Sequence, residues 1–114
     1  MALSVNVTEQ TGYSIAAVVG DVDGATAPEL QEAVLAAAGP GCRLLLDMSQ
    51  VAYMSSAGLR VMLLLYRQIS ANAGSKVVLV GLPEDVQETM AATGFLKFFV
   101  IADTLEDGAA ALNR

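Results

Sequence analysis

Ser4-Val5-Asn6-Val7-Thr8 alternates apolar and polar residues, the period of a half-buried strand. Glu9-Gln10-Thr11-Gly12 predicts a turn, and Tyr13 to Val19 a second strand. The connection is short, so these two strands should form an antiparallel hairpin. A polar, glycine-punctuated loop, Gly20 to Thr26, follows. Thr26 suits a helix N-cap, with Pro28 in the first turn and Glu29 behind it. That helix is expected to run to about Ala38, where Gly39-Pro40-Gly41 stops it. Arg43 to Asp47 is a short, nearly continuous apolar run, typical of a strand covered on both faces. A second helix carries its apolar pattern from Leu59 to Ile69 and ends near Ala71. Lys76 to Val80 predicts another buried strand, and Pro83-Glu84-Asp85 opens a third helix that ends at Thr93-Gly94. Phe98 to Ile101 predicts a last strand, and Asp103 or Thr104 caps a short final helix. Strand-helix alternation after the hairpin implies parallel strands joined by right-handed crossovers. The expected fold is α/β: a small mixed β-sheet with an N-terminal hairpin and about four helices, one domain over residues 1–114.

Composition supports that reading and removes most catalytic classes. Hydrophobic residues make up 54% of the chain and charged residues 16%, enough for a full core and unlike a disordered segment. No apolar run approaches the roughly 20 residues that span a bilayer. Met1 to Val5 shows neither a basic nor an apolar leader region, so a cytoplasmic location is expected. Cys42 is the single cysteine and cannot form an intramolecular disulfide. Net charge is −6, and the basic residues Arg43, Arg60, Arg67, Lys76, Lys97 and Arg114 are scattered along the chain. Without a basic footprint, nucleic acid and anionic membranes are unexpected partners. The chain has no histidine, which removes Ser-His-Asp and Cys-His catalysis, most zinc sites and histidine phosphorelay. No active site, metal or cofactor is expected. Any phosphoryl transfer must end on Ser, Thr, Tyr or Asp, or use groups of another protein.

The segment from Asp47 to Arg60 carries the most chemistry. Ser55, Ser56 and Gly58 fall where a strand layer hands over to a helix N-terminus. Unpaired N–H groups and the positive end of the helix dipole would accommodate a phosphate on a serine there. Equally, one of the two serines is simply the N-cap. Gly58 is odd in a first helical turn. It implies either close packing against the sheet or close approach by a partner or a nucleotide. Asp21 and Asp23, in the loop before the first helix, could lie at the same end of the domain, or merely cap their own turn. Asp47 ends its predicted strand as a receiver-domain phosphoacceptor does, but the acidic pair and late-strand lysine of such a site are misplaced. In the second helix, Leu59, Met62, Leu63, Tyr66 and Ile69 share a face. Val61 and Leu65 form a second apolar shoulder, and Leu64 lies beside Arg60 and Arg67. Either the helix is buried between two neighbours, or Arg60, Val61 and Leu64 belong to a docking surface beside the serine turn.

Gly20-Asp21-Val22-Asp23, Leu44-Leu45-Leu46-Asp47 and Val51-Ala52-Tyr53-Met54-Ser55-Ser56-Ala57-Gly58-Leu59 together resemble the STAS domains, specifically the stand-alone bacterial anti-sigma factor antagonists. The resemblance covers essentially the whole chain. It implies partner switching. An anti-sigma factor that is also an ATP-dependent serine kinase phosphorylates a serine at the start of the second helix. A PP2C-type phosphatase reverses this, and the unphosphorylated antagonist binds the anti-sigma factor. Aligned on Gly58-Leu59, the acceptor is Ser56, with Ser55 the second choice. Asp23 matches a family position near the kinase contact. The implied partner surface comprises Asp21, Asp23, Ser55, Ala57, Gly58, Arg60, Val61 and Leu64. The family often has Asp before the acceptor and Ser or Thr after it, whereas this chain has Ser55 and Ala57. The alternatives are a STAS-fold scaffold or transporter-accessory module without phosphorylation, and a nucleotide-binding regulatory domain.

Overall fold

A computed structural model describes residues 3–113; Met1 and Ala2 of the N-terminal segment, and Arg114, one of the six basic residues, lie outside it. Strands β1 (Ser4–Gln10) and β2 (Tyr13–Val22) pair antiparallel, as the alternation predicts. The turn is tighter than expected. Glu9 and Gln10 remain in the ladder opposite Ser14 and Tyr13, leaving Thr11-Gly12 to reverse the chain. Gly12 adopts φ 87°, a left-handed conformation that glycine enters without a Cβ clash.

Helix α1 (Ala27–Ala37) leads to β3 (Arg43–Met54), then α2 (Ser56–Ser70), β4 (Lys76–Val80) and α3 (Glu84–Ala92). A 3₁₀ turn at Leu96–Phe98, β5 (Ile101–Ala102) and α4 (Leu105–Leu112) complete the chain. The sheet order is β1-β2-β3-β4-β5, with β2 to β5 parallel. The mixed α/β architecture is the one the sequence predicts.

Alternation along the strands sends side chains to two cores. Ala16, Val18, Leu44, Leu46, Val77 and Leu79 face α1, α2 and α3. From α2 the buried residues are Gly58, Leu59, Met62, Leu65 and Ile69. Each large apolar side chain among them contributes roughly 1.5–3 kcal/mol through burial. Leu63 and Tyr66, expected on the same face, are only partly buried, and Leu65 takes the central place. On the opposite face Leu45, Val78 and Val80 meet α4 through Leu112. Gly108 lets α4 come close: a Cβ there would lie 2.7 Å from Val80 Cγ2 and 3.1 Å from Leu45 Cδ2.

Three boundaries differ from expectation. First, β2 continues to Val22, so Asp21 is a strand residue and the loop before α1 is only Asp23 to Thr26. Second, β3 does not end at Asp47 but reaches Met54. Its pairing with β2 slips twice, between Ala17/Val19 and Gly20/Asp21, and each slip places an extra β3 residue against β2. Such bulges break the period of two that the sequence pattern relies on. At the first, the Asp47 carboxylate accepts bonds from the Ser49 N–H (3.1 Å) and hydroxyl (2.7 Å), so Asp47 is a mid-strand turn-former. Third, Phe98 and Phe99 are not strand. The chain passes through the 3₁₀ turn so that Phe99 can bury its ring edge-on against Tyr66, with centroids 4.7 Å apart.

Candidate functional site

The β3–α2 turn is assembled by backbone and hydroxyl bonds that leave one serine free. Ser55 is extended, with φ −81° and ψ 169°, and caps α2: its Oγ accepts from the Gly58 N–H at 3.0 Å. Its own N–H donates to the Val22 carbonyl at 2.9 Å, and its carbonyl accepts from Leu59 N–H at 2.8 Å. Ser55 is thereby tied to the end of β2 and to the first turn of α2. Ser56 is the first residue of the helix and exposed. Its hydroxyl has no hydrogen-bond partner among the described residues. Ala57 beside it is also exposed.

Gly58 settles which of its two explanations holds. A Cβ there would stand 2.4 Å from the Val22 carbonyl oxygen and 2.9 Å from Val22 Cγ1. The glycine is buried and required by the chain's own backbone. It offers a partner no surface of its own, so its expected place among contact residues gives way to a packing role.

The Asp23–Thr26 loop lies alongside. A Cβ on Gly24 would be 3.6 Å from Ala57 Cβ, and in the β2–β3 register Asp21 stands opposite Tyr53. Asp23 Oδ1 accepts from the backbone N–H groups of Ala25 (2.9 Å) and Thr26 (3.0 Å), with the Thr26 hydroxyl 3.2 Å away. Those backbone donors, Thr26 first, hold the Asp23 carboxyl below its usual 3.8, so the charge persists on this rim. Thr26 occupies the N-cap position of α1 without capping it through its side chain. Its hydroxyl turns back, donating to the Asp21 carbonyl at 2.7 Å and accepting from the Asp23 N–H at 3.0 Å. The structure therefore brings Asp21, Asp23, Ser55, Ser56 and Ala57 to one end of the sheet.

Arg60 and Leu64 continue from Ser56 at steps of four along α2, which places them on one helical face. Arg60 is exposed, and Leu64 is 53% exposed despite being apolar. Val61 is partly buried and packs against the main core. Tyr53 is 55% exposed on β3 just before the turn, and sequence reasoning did not single it out. Its signal was its place between Val51 and Met54, both buried, which a regular strand could not reconcile with alternation. Among the described residues, no cluster of His, Cys, Asp or Glu could hold a metal ion, and no helix is long and apolar enough to cross a membrane.

Residues 4–108 match the STAS domain family. A relative from Bordetella bronchiseptica, which carries the provisional name anti-sigma factor antagonist BtrV, is 39% identical over 103 residues, covering 90% of this chain and 88% of its own. The crystal structure of an anti-sigma factor antagonist from Mycobacterium paratuberculosis superposes with a TM-score of 0.82 at 28% identity, over 99% of this chain and 96% of that one. The Bacillus cell fate determinant SpoIIAA in its phosphorylated form shares the fold, with a TM-score of 0.67 at 16% identity over 99% of this chain and 100% of that one. With its hairpin, parallel sheet and serine-capped β3–α2 turn, the chain belongs to the STAS domain family.

Proposed function

We propose that this protein is an anti-sigma factor antagonist, switched off by phosphorylation of Ser56. It acts as a binding protein without an active site of its own, in the cytoplasm. Its partners are an anti-sigma factor with serine kinase activity and a PP2C-type phosphatase. The observation that carries the proposal is the division of labour between adjacent serines. The Ser55 hydroxyl is engaged as the helix cap, while the Ser56 hydroxyl is exposed and has no partner among the described residues. A kinase can therefore take Ser56 without dismantling the turn. The names of the relatives, anti-sigma factor antagonists, support the same reading.

Phosphorylation would add about −1.5 to −2 charges at the N-terminus of α2. The Ser56 and Ala57 N–H groups and the helix dipole favour that charge locally. Arg60, four residues on, is within reach of a phosphate as it is of a partner's carboxylate. A docked partner would instead bury a dianion beside Asp21 and Asp23, at a cost of several kcal/mol. The unmodified partner surface comprises Asp21, Asp23, Ser55, Ala57, Arg60, Val61 and Leu64 around Ser56.

Intact-mass analysis after incubation with ATP and the cognate kinase is expected to show one added phosphate. Ser56→Ala should abolish it, and Ser55→Ala should keep it. Retention of the phosphate on Ser56→Ala would move the acceptor elsewhere. Pull-down of the kinase should succeed with Ser56→Ala and fail with Ser56→Asp; equal recovery would favour a scaffold without a phosphoswitch.

A further inference from the structure

At the opposite end of α2, Tyr66 is flanked by two open clefts. Its hydroxyl accepts the Val100 N–H at 3.0 Å and has no acceptor for its own proton among the described residues. The first cleft, about 310 Å³, runs between Tyr66, Ser70, the start of β4, Val100 and Ala111. The second, about 460 Å³, shares Tyr66 and Ser70 and is walled by Leu63, Arg67, Ala71 and Phe98. The first exists because β5 is so short. β5 pairs only with Leu79 and Val80, so Lys76, Val77 and Val78, which pair with β3 on one side, have no strand on the other. The Leu79 and Gly81 N–H groups donate to Val100 and Ala102, so by alternation the Val77 peptide groups also face this side. Ser75 Oγ is buried at the cleft without a hydrogen-bond partner.

The charges are arranged to match. Each cleft carries one basic residue, Lys76 in the first and Arg67 in the second, and Lys97 Nζ sits 5.6 Å from the centroid of Phe98 at the second. No acidic residue lines either cleft, in a chain of net charge −6. Apolar walls of this volume with a few convergent polar groups are the usual make-up of a small-molecule site.

We propose that this groove binds a small anionic amphiphile, a single carboxylate on an apolar body. The carboxylate sits at Lys76 and accepts a bond from the Tyr66 hydroxyl. The apolar body lies along Val77, Val78, Val100 and Ala111. This site is separate from the Ser56 turn and independent of the switch proposed there.

Decanoate is the probe, added to the ¹⁵N-labelled full chain and followed by amide chemical shifts. Saturable shifts are expected at Ser75, Val77, Val78 and Val100. Decanol should bind more weakly, and Lys76→Gln should weaken decanoate about fivefold while leaving decanol unchanged. Ala111→Trp, which fills the first cleft from a half-buried position of α4, should abolish the shifts. Equal binding of decanol and decanoate, unaltered decanoate affinity in both variants, or shifts centred on the Ser56 turn would each overturn the proposal. So would shifts at the same amides on concentrating the protein without ligand, which would assign the groove to a second copy of the chain.

Discussion

At the scale of single residues, the turn is governed by what is missing at Gly58 and what is ionised at Asp23. Gly58 has no Cβ because the Val22 carbonyl oxygen occupies that position, 2.4 Å from where it would be. Backbone cannot step aside as a side-chain end can, so Gly58→Ala should cost about 1–3 kcal/mol from overpacking. Alanine's better helix propensity, about 1 kcal/mol, offsets only part of that. Denaturant unfolding checks the sign; a more stable variant would mean the turn is loose. Asp23 carries the opposite lesson, that a residue proposed for recognition can first be a structural one. Its carboxyl is held below its usual 3.8 by the N–H groups of Thr26 and Ala25. A depressed carboxylate stabilises the fold above its unfolded pKa, and that contribution is lost as pH falls through the folded value. The stability gap between the wild-type chain and Asp23→Ala should therefore be constant above about pH 5 and narrow below about pH 4. A gap that widened on acidification would contradict the assigned hydrogen bonds.

At the scale of elements, α2 has two faces with different tasks. Leu59, Met62, Leu65 and Ile69 are buried against the sheet, while Leu64 is 53% exposed next to Arg60. An exposed leucine adds little to the fold, so Leu64→Glu should change stability by less than about 0.5 kcal/mol. If this face docks the anti-sigma factor, the same substitution should weaken capture of that partner at least about tenfold, as hot-spot truncations do. Unchanged capture in a binding titration would remove Leu64 from the surface. Periodicity alone placed Leu64 beside the arginines, because an α-helix keeps its 100° step throughout. Strands were less legible. The apolar run Leu44-Leu45-Leu46 marked β3, but its extension to Met54 was hidden by two bulges that take Ser49, Gln50, Ala52 and Tyr53 out of simple alternation. Phe98-Phe99-Val100-Ile101 has strand composition, yet Phe99 is claimed by Tyr66 and only Ile101–Ala102 pairs. Tertiary packing overrode local preference there. The Ser55–Ser56 pair was legible as a cap-plus-acceptor candidate. The motif alignment named Ser56 the acceptor candidate, but that Ser55 is the cap follows from its hydroxyl direction, which sequence does not encode.

For the molecule as a whole, a switch of this kind must change binding without changing fold. The fold is compatible with that outcome. The sheet is packed by α1, α2 and α3 on one face and by α4 on the other, and Ser56 lies outside both cores. A phosphate there meets two opposing local effects. The helix N-terminus favours it by roughly 0.3–1 kcal/mol. Repulsion from Asp23 or Asp21 through water costs on the order of 1 kcal/mol even for a dianion, and salt reduces it further. The two nearly cancel, so Ser56 phosphorylation should move the melting temperature by no more than about 5 °C in either direction. Association is different. An interface closing over the turn removes water from the phosphate, and the local cancellation no longer holds. Affinity for the anti-sigma factor should then fall at least about a hundredfold, or roughly 3 kcal/mol. Thermal melts of the two forms, paired with a titration of each against the partner, separate the possibilities. A large drop in melting temperature on phosphorylation would mean that the switch works by loosening the fold. A small shift with lost binding would locate it at the surface, where the exposed Ser56 hydroxyl and the engaged Ser55 cap divide modification from structure.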